Sequence, residues 1–166
     1  AYRDSIERIR VHTPEARLNA AVAAVCHPLD AACDRHPALF RHGCMAYSVL
    51  FLGWRVIFGA IAMGWHDRVR ENARYYIDRQ RRKDPDRITP QPDPKTLLTS
   101  QSPDSRFYGR GHIPNPPWIL YNTQSQFFDQ TLHDWRWTAD PELERLLRPA
   151  LDLHLDWIRD CFDPDD

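Results

Sequence analysis

The stretch CMAYSVLFLGWRVIFGAIAMGW, Cys44 to Trp65, decides how the rest of the chain is read. Its twenty-two residues carry one charge, Arg55, and the hydroxyls of Tyr47 and Ser48. A run so long and apolar meets the usual requirement for a helix that crosses a bilayer. It also describes a helix covered on all sides inside a soluble fold. Arg35 and Arg41 precede it and Arg68, Arg70 and Arg74 follow, so the basic asymmetry that orients a spanning helix is missing. Arg55 at its centre would cost about 2.5–3.5 kcal/mol on insertion. No second span occurs elsewhere. A buried helix is therefore expected, with no membrane partner, and with Gly53, Gly59 and Gly64 allowing close packing. Arg55 is expected to be buried too, bonded to a carboxylate or to carbonyls.

Composition bounds the rest. The chain has 166 residues and a net charge of −1, enough for one domain with a sizeable core. No basic face stands out, which argues against a nucleic-acid partner. Six Trp, six Tyr and seven Phe are many for this length, and serve either as core or as surface on which sugars stack. The four cysteines form no Cys-x-x-Cys pair, so reduced, partly buried thiols are expected. The sequence starts at Ala1 with no Met and no signal-peptide pattern, as a processed or excerpted chain would.

Around the apolar run the chain reads as helices. Ala1 to Thr13 is a lead-in, strand-like or extended. Thr13-Pro14-Glu15 predicts a helix start, with a hydroxyl N-cap and Pro at the first helical position. That first helix is expected to reach about Asp34, with Leu18, Ala21, Val22, Val25, Leu29 and Ala32 on its apolar face and a bend at Pro28. The apolar run forms the second helix. Trp65-His66-Asp67 then reads as a tight turn, with Asp67 capping a third, charged helix to about Arg82 along the stripe Val69, Ala73, Tyr76 and Ile77. Residues 83–117 hold eight of the fourteen prolines and no helical period. A loop of this length is commonly functional or a linker, and SRFYGRGHIPNPPW in its second half is too aromatic for a plain spacer. A fourth helix follows from about Pro117 to Trp137. Asp140-Pro141-Glu142 starts a fifth, with Leu143, Leu147, Ala150, His154, Ile158 and Cys161 at helical spacing and Pro149 inside. No strand is expected, so the class is all-α.

Helices one, three and five read as amphipathic, two as apolar and four as mostly so. That alternation fits the outer and inner helices of a two-layer ring. The stretches HGCMAYSVLFLGWRVIFGAIAMGWHDRVRENARYY and WTADPELERLLRPALDLHLDWIRDCFDPDD resemble the six-hairpin glycosidases, whose fold is an (α/α)6 toroid. In those enzymes an inner helix ends in a short Thr-x-Asp turn and an outer helix follows. The resemblance covers most of Pro14 to Asp166 apart from the long loop. It implies a glycoside hydrolase acting on a poly- or oligosaccharide, periplasmic or secreted, without a cofactor. A full ring has twelve helices, so residues 1–166 are expected to form part of one. The remainder would come from the same gene product or from another chain.

Ring topology places the loops entering helices two and four on one face. Loops on a rigid scaffold usually carry function, so a sugar site is expected near His42, Tyr47, Tyr121, Asn122 and Gln124, roofed by Tyr108, Arg110 and His112. Glycoside hydrolysis uses two carboxyl groups. Asp129 is the best internal candidate, but no residue is assigned as catalytic acid or base. His66 and Asp67 are adjacent and point in different directions, so the turn is read as structural. Cys26, His27, Cys33, His36, His42 and Cys44 lack the tight pairs of a zinc site, and no metal is expected. The competing expectation is a non-enzymatic helical interaction or scaffold module, metal-linked through that group.

Overall fold

In a computed structural model, residues 7–42, 50–85, 106–114 and 121–162 are described, apart from the side chain of Tyr121. Tyr47 lies outside this set. The fold is mostly helical. In chain order it comprises α1 (Ala16–Ala31), β1 (Cys33–Arg35), β2 (Ala38–Phe40), a 3-10 turn (Phe51–Gly53), α2 (Val56–Ala62), α3 (His66–Ile77), a second 3-10 turn (Arg106–Tyr108), α4 (Tyr121–Thr138) and α5 (Pro141–Phe162).

The apolar run does not form one helix. Phe51, Leu52, Gly53 and Trp54 all have positive φ, at 37°, 56°, 94° and 38°. Only glycine adopts that region without penalty, and it sits where the chain turns most sharply. His42 stacks on Trp54 at 5.6 Å and Phe51 tilts against both, so an aromatic cluster covers the bend. Burial alone, at Leu52, Ile57, Ala60, Ile61 and Trp65, made the stretch apolar. Arg55 is exposed, because the bend turns it out of the core. Among the described residues, no helix is long and apolar enough to cross a membrane.

A two-stranded antiparallel hairpin follows α1, pairing Cys33 with Phe40 and Arg35 with Ala38. It corrects the expectation of no strand. Pro37 interrupts the helical chain, and Ala38, Leu39 and Phe40 are buried as a continuous apolar run. The Phe40 amide donates to Asn72 Oδ1 at 3.2 Å, which fastens the hairpin to α3.

Helix α1 starts two residues later than expected. Glu15 is its N-cap and accepts from the Arg17 amide, while the Thr13 hydroxyl accepts from the Glu15 amide at 3.2 Å and also bonds Asn19. Its rotation also differs. Leu18 and Val25 are 49% and 46% exposed, while Cys26 and Asp30 face inward. Asp30 is the reason: its buried carboxylate accepts from Arg68 at 2.7 Å and Arg35 at 2.8 Å. Leu29 packs where Gly59 offers no side chain, since a Cβ there would lie 2.7 Å from Leu29 Cδ2.

Helices α3, α4 and α5 form the frame of the molecule. Arg70 pairs with Asp140, Arg74 with Glu142, and Gln80 Nε2 donates to the Ala150 carbonyl, so α3 and α5 run parallel. Tyr76 meets Phe127 and His66 meets Asp134, so α4 runs antiparallel to α3. The turn between α4 and α5 is capped as its sequence predicts. Asp140 Oδ1 accepts from the Glu142 and Leu143 amides, and Pro141 fills the first helical position. The expected stripe of α3 is buried in full, together with Asn72. Trp65, not Asp67, occupies the N-cap of α3, without a side-chain cap, and Asp67 instead pairs with Arg8 at 2.7 Å.

Candidate functional site

The segment Arg106–Pro114 crosses the frame where α3 ends, α4 begins and α5 nears its end. Gly111 makes this crossing possible. Its φ is +88°, and a Cβ would stand 2.2 Å from the Leu153 carbonyl oxygen and 2.7 Å from Trp157 Cβ. Its carbonyl accepts from Gln80 Nε2 at 3.0 Å and Gln124 Nε2 at 2.8 Å. The backbone of Arg81 exchanges bonds with Gly111 and His112. Gln124 also accepts from the Ile113 amide at 2.8 Å and lies 3.0 Å from His154 Nδ1.

Two buried histidines line this junction. His154 stacks between Phe128 and Trp157. His112 lies between Tyr108 and Trp157, and its Nδ1 has no partner. Burial lowers the pKa of each to about 4, with the Arg81 charge adding to the effect on His112. Both rings are therefore neutral at physiological pH.

On the outer side of the crossing is an open pocket of about 350 Å³, lined by Asp84, Arg106, Gly109, Arg110, Trp157 and Asp160. The Arg110 amide donates to Asp84 at 2.6 Å, and its guanidinium holds Asp156 at 2.8 Å. The Arg106 guanidinium donates to the Asp160 carbonyl at 2.9 Å, and Trp157 Nε1 donates to the Phe107 carbonyl at 3.1 Å. The guanidinium of Arg110 holds the Asp156 carboxyl below its usual range, helped by Arg159. Carboxylates and guanidiniums set in one concavity can accept from and donate to the hydroxyl groups of a polar ligand.

The expected site residues separate into groups. Tyr108, Arg110, His112 and Gln124 come together at the Gly111 crossing, but only Arg110 lines the pocket. His112 and Gln124 are buried beneath it, and Gln124 is fully engaged with protein atoms. Asn122 is exposed on the first turn of α4, as is Asp129 further along. His42 belongs to the aromatic cluster at Trp54. Tyr47 and the Tyr121 side chain lie outside the described residues. Asp84 and Asp160 were missed, because an Asp in a charged tail or at a helix end reads as solvated.

A second polar feature spans α3 and α4. His66 Nδ1 lies 2.5 Å from Asp134 Oδ1, and this, not the neighbouring Asp67, is the partner of His66. Burial, partly offset by the bond to His66, raises the Asp134 pKa above the usual carboxylate range. Among the described residues, no group of three or more His, Cys, Asp or Glu could hold a metal ion. Cys26, Cys33 and Cys161 are free thiols, and burial pushes Cys33 up to about 11. No protein-family model, no curated protein and no solved structure matches the chain.

Proposed function

We propose that the chain is part of a carbohydrate-active module of the (α/α)6-toroid kind, serving glycoside hydrolysis, with the pocket at Arg110 contacting the sugar. The observation that carries this reading is the pocket itself. Asp84, Arg106, Arg110 and Asp160 surround one concavity near the end of α5, formed in part by the aromatic loop expected to roof a sugar site. Charged and planar side chains of this kind suit a polyhydroxylated ligand, because each carboxylate accepts from two hydroxyls and each guanidinium donates in a fixed fork.

The directions of α3, α4 and α5 are those a ring shares with a helical bundle. In a two-layer toroid the outer helices run parallel to one another and antiparallel to the inner ones. Helices α3 and α5, read as outer, are parallel, and α4, read as inner, opposes α3. The outward stripe of Leu18 and Val25 on α1 supplies apolar surface that further helices of a ring would cover. The catalytic acid and base are left unassigned.

The test is binding and turnover on a panel of oligo- and polysaccharides. Saturation-transfer NMR should show a bound oligosaccharide, and Asp160→Asn or Arg110→Gln should weaken it at least tenfold while the circular dichroism spectrum stays unchanged. If no saccharide binds and both variants behave as wild type, the scaffold reading replaces this one.

A further inference from the structure

The last turn of α4 carries an aromatic surface at the opposite end of the helix from Gln124, roughly 20 Å away at 1.5 Å per residue. Trp137 is 70% exposed there and Phe58 is 39% exposed. With His133 between them they form one aromatic patch at the surface. Trp137 is also held in place. Its Nε1 donates to His133 Nε2 at 3.1 Å. That bond assigns the proton of the neutral His133 ring to Nδ1. Phe58 packs edge-on against the same imidazole at 5.5 Å and 78°. The indole has therefore spent its one hydrogen-bond donor on the protein and offers a fixed π face to solvent.

Beside that face lies a concavity of about 400 Å³ lined by His133, Arg136 and Trp137. Arg136 is exposed and makes no ion pair among the described residues. The nearby charges are already paired: Arg70 with Asp140, and Asp134 with His66. Three features thus coincide: an oriented aromatic plane, an open concavity beside it, and a guanidinium without an ion-pair partner among the described residues at its edge. A neutral apolar ligand would leave the guanidinium unused. A protein partner would need a far larger contact than three side chains supply.

We propose that Trp137, Arg136 and His133 form a second ligand site, selective for an acidic oligosaccharide. The C–H face of a uronic acid ring would lie on the indole, and its carboxylate would receive the guanidinium fork of Arg136. His133 is a positioning residue, acting through the bond that fixes Trp137. This site does not depend on the pocket at Arg110, which lies at the other end of α4.

The experiment titrates the whole chain with tri-galacturonate, with a neutral cello-oligosaccharide of equal length, and with a planar aromatic carboxylate, by calorimetry and saturation-transfer NMR. The acidic trisaccharide is expected to bind with a Kd on the order of 1 mM or tighter, and at least tenfold better than the neutral one. Trp137→Ala should abolish this binding. Arg136→Gln should remove the preference for the acidic sugar. His133→Phe should weaken binding of both sugars alike. Each altered side chain is at or near the surface, and thermal melts check that the fold persists. Asp160→Asn should leave this binding intact, which separates it from the other pocket. Equal binding of acidic and neutral sugars, loss of binding in Asp160→Asn alone, binding of the aromatic carboxylate only, or no binding would each overturn the proposal.

Discussion

His66 and Asp134 stand 68 residues apart in sequence and meet at 2.5 Å, with the carboxylate 1% exposed and the imidazole 37% exposed. The pair joins α3 to α4 beside the last turn of α4. Asp134 has given up hydration for one hydrogen bond, and its raised pKa says that burial outweighs that bond.

Removing His66 should therefore do more harm than neutralising Asp134. His66→Ala leaves a buried carboxylate without its partner. The loss is expected at about 1–3 kcal/mol, less than for a fully buried pair because the ring is partly solvated. Asp134→Asn keeps the shape and removes the charge, so it should cost about 1 kcal/mol or less. The double variant should recover part of the His66→Ala loss. Urea titrations of the four proteins complete the cycle, and additive effects would show that the pair does not interact.

The buried histidines set the acid response. The folded chain holds His112 and His154 at about 4, below the unfolded value near 6.5. The unfolded chain therefore binds two protons in this window that the folded chain excludes. Their contribution to stability is complete above pH 6.5 and is lost as pH falls toward 4. The loss is about 2 kcal/mol per ring between pH 7 and pH 5. His112→Phe should fit between Tyr108 and Trp157, because His112 Nδ1 has no partner to lose. Its urea midpoint should fall only half as far as that of wild type over the same range. An unchanged slope would show that His112 is protonated in the folded state.

Gly111→Ala tests the crossing segment. The added methyl would meet backbone at 2.2 Å, and the residue would also be held at φ +88°. A destabilisation of about 3 kcal/mol or more is expected, since backbone cannot yield as a side-chain end can. The Gln80 and Gln124 bonds to this carbonyl should loosen together. Amide exchange at Ile113, whose N–H donates to Gln124, reads that directly.

What the sequence discloses and what it hides divide along one line. Helix α5 was legible from end to end, because Asp140-Pro141-Glu142 caps it locally and Leu143, Leu147, Ala150 and His154 repeat at its own period. The stripe of α3 was legible for the same reason. Helix α4 was placed within a few residues. The bend at residues 51–54 was hidden, because apolar side chains record burial and say nothing of whether the helix is continuous. The facing of α1 was hidden as well. Its apolar residues favour one rotation, and two arginines on other elements hold Asp30 in a different one. The hairpin is three residues a side, too short for a period to emerge. At the candidate pocket, Arg110 was legible from its aromatic loop. Asp84 and Asp160 were not, because only the tertiary fold brings them to one concavity. The same holds for Asp134, whose partner is two elements away.

The Gly111 carbonyl, shared by Gln80 and Gln124, couples the candidate pocket to the helical frame. Its two donors sit 31 and 13 residues away, and Gln80 also reaches Ala150 across 70 residues. The Gln80 bonds need α3 beside the crossing segment and beside α5, while the Gln124 bond needs only α4 and the segment just before it. Arg106–Pro114 is thus tied to α3 and α4 through one carbonyl, and through Gln80 to α5. Anything that shifts this segment therefore reshapes the Arg110 pocket, because Arg106, Gly109 and Arg110 belong to both.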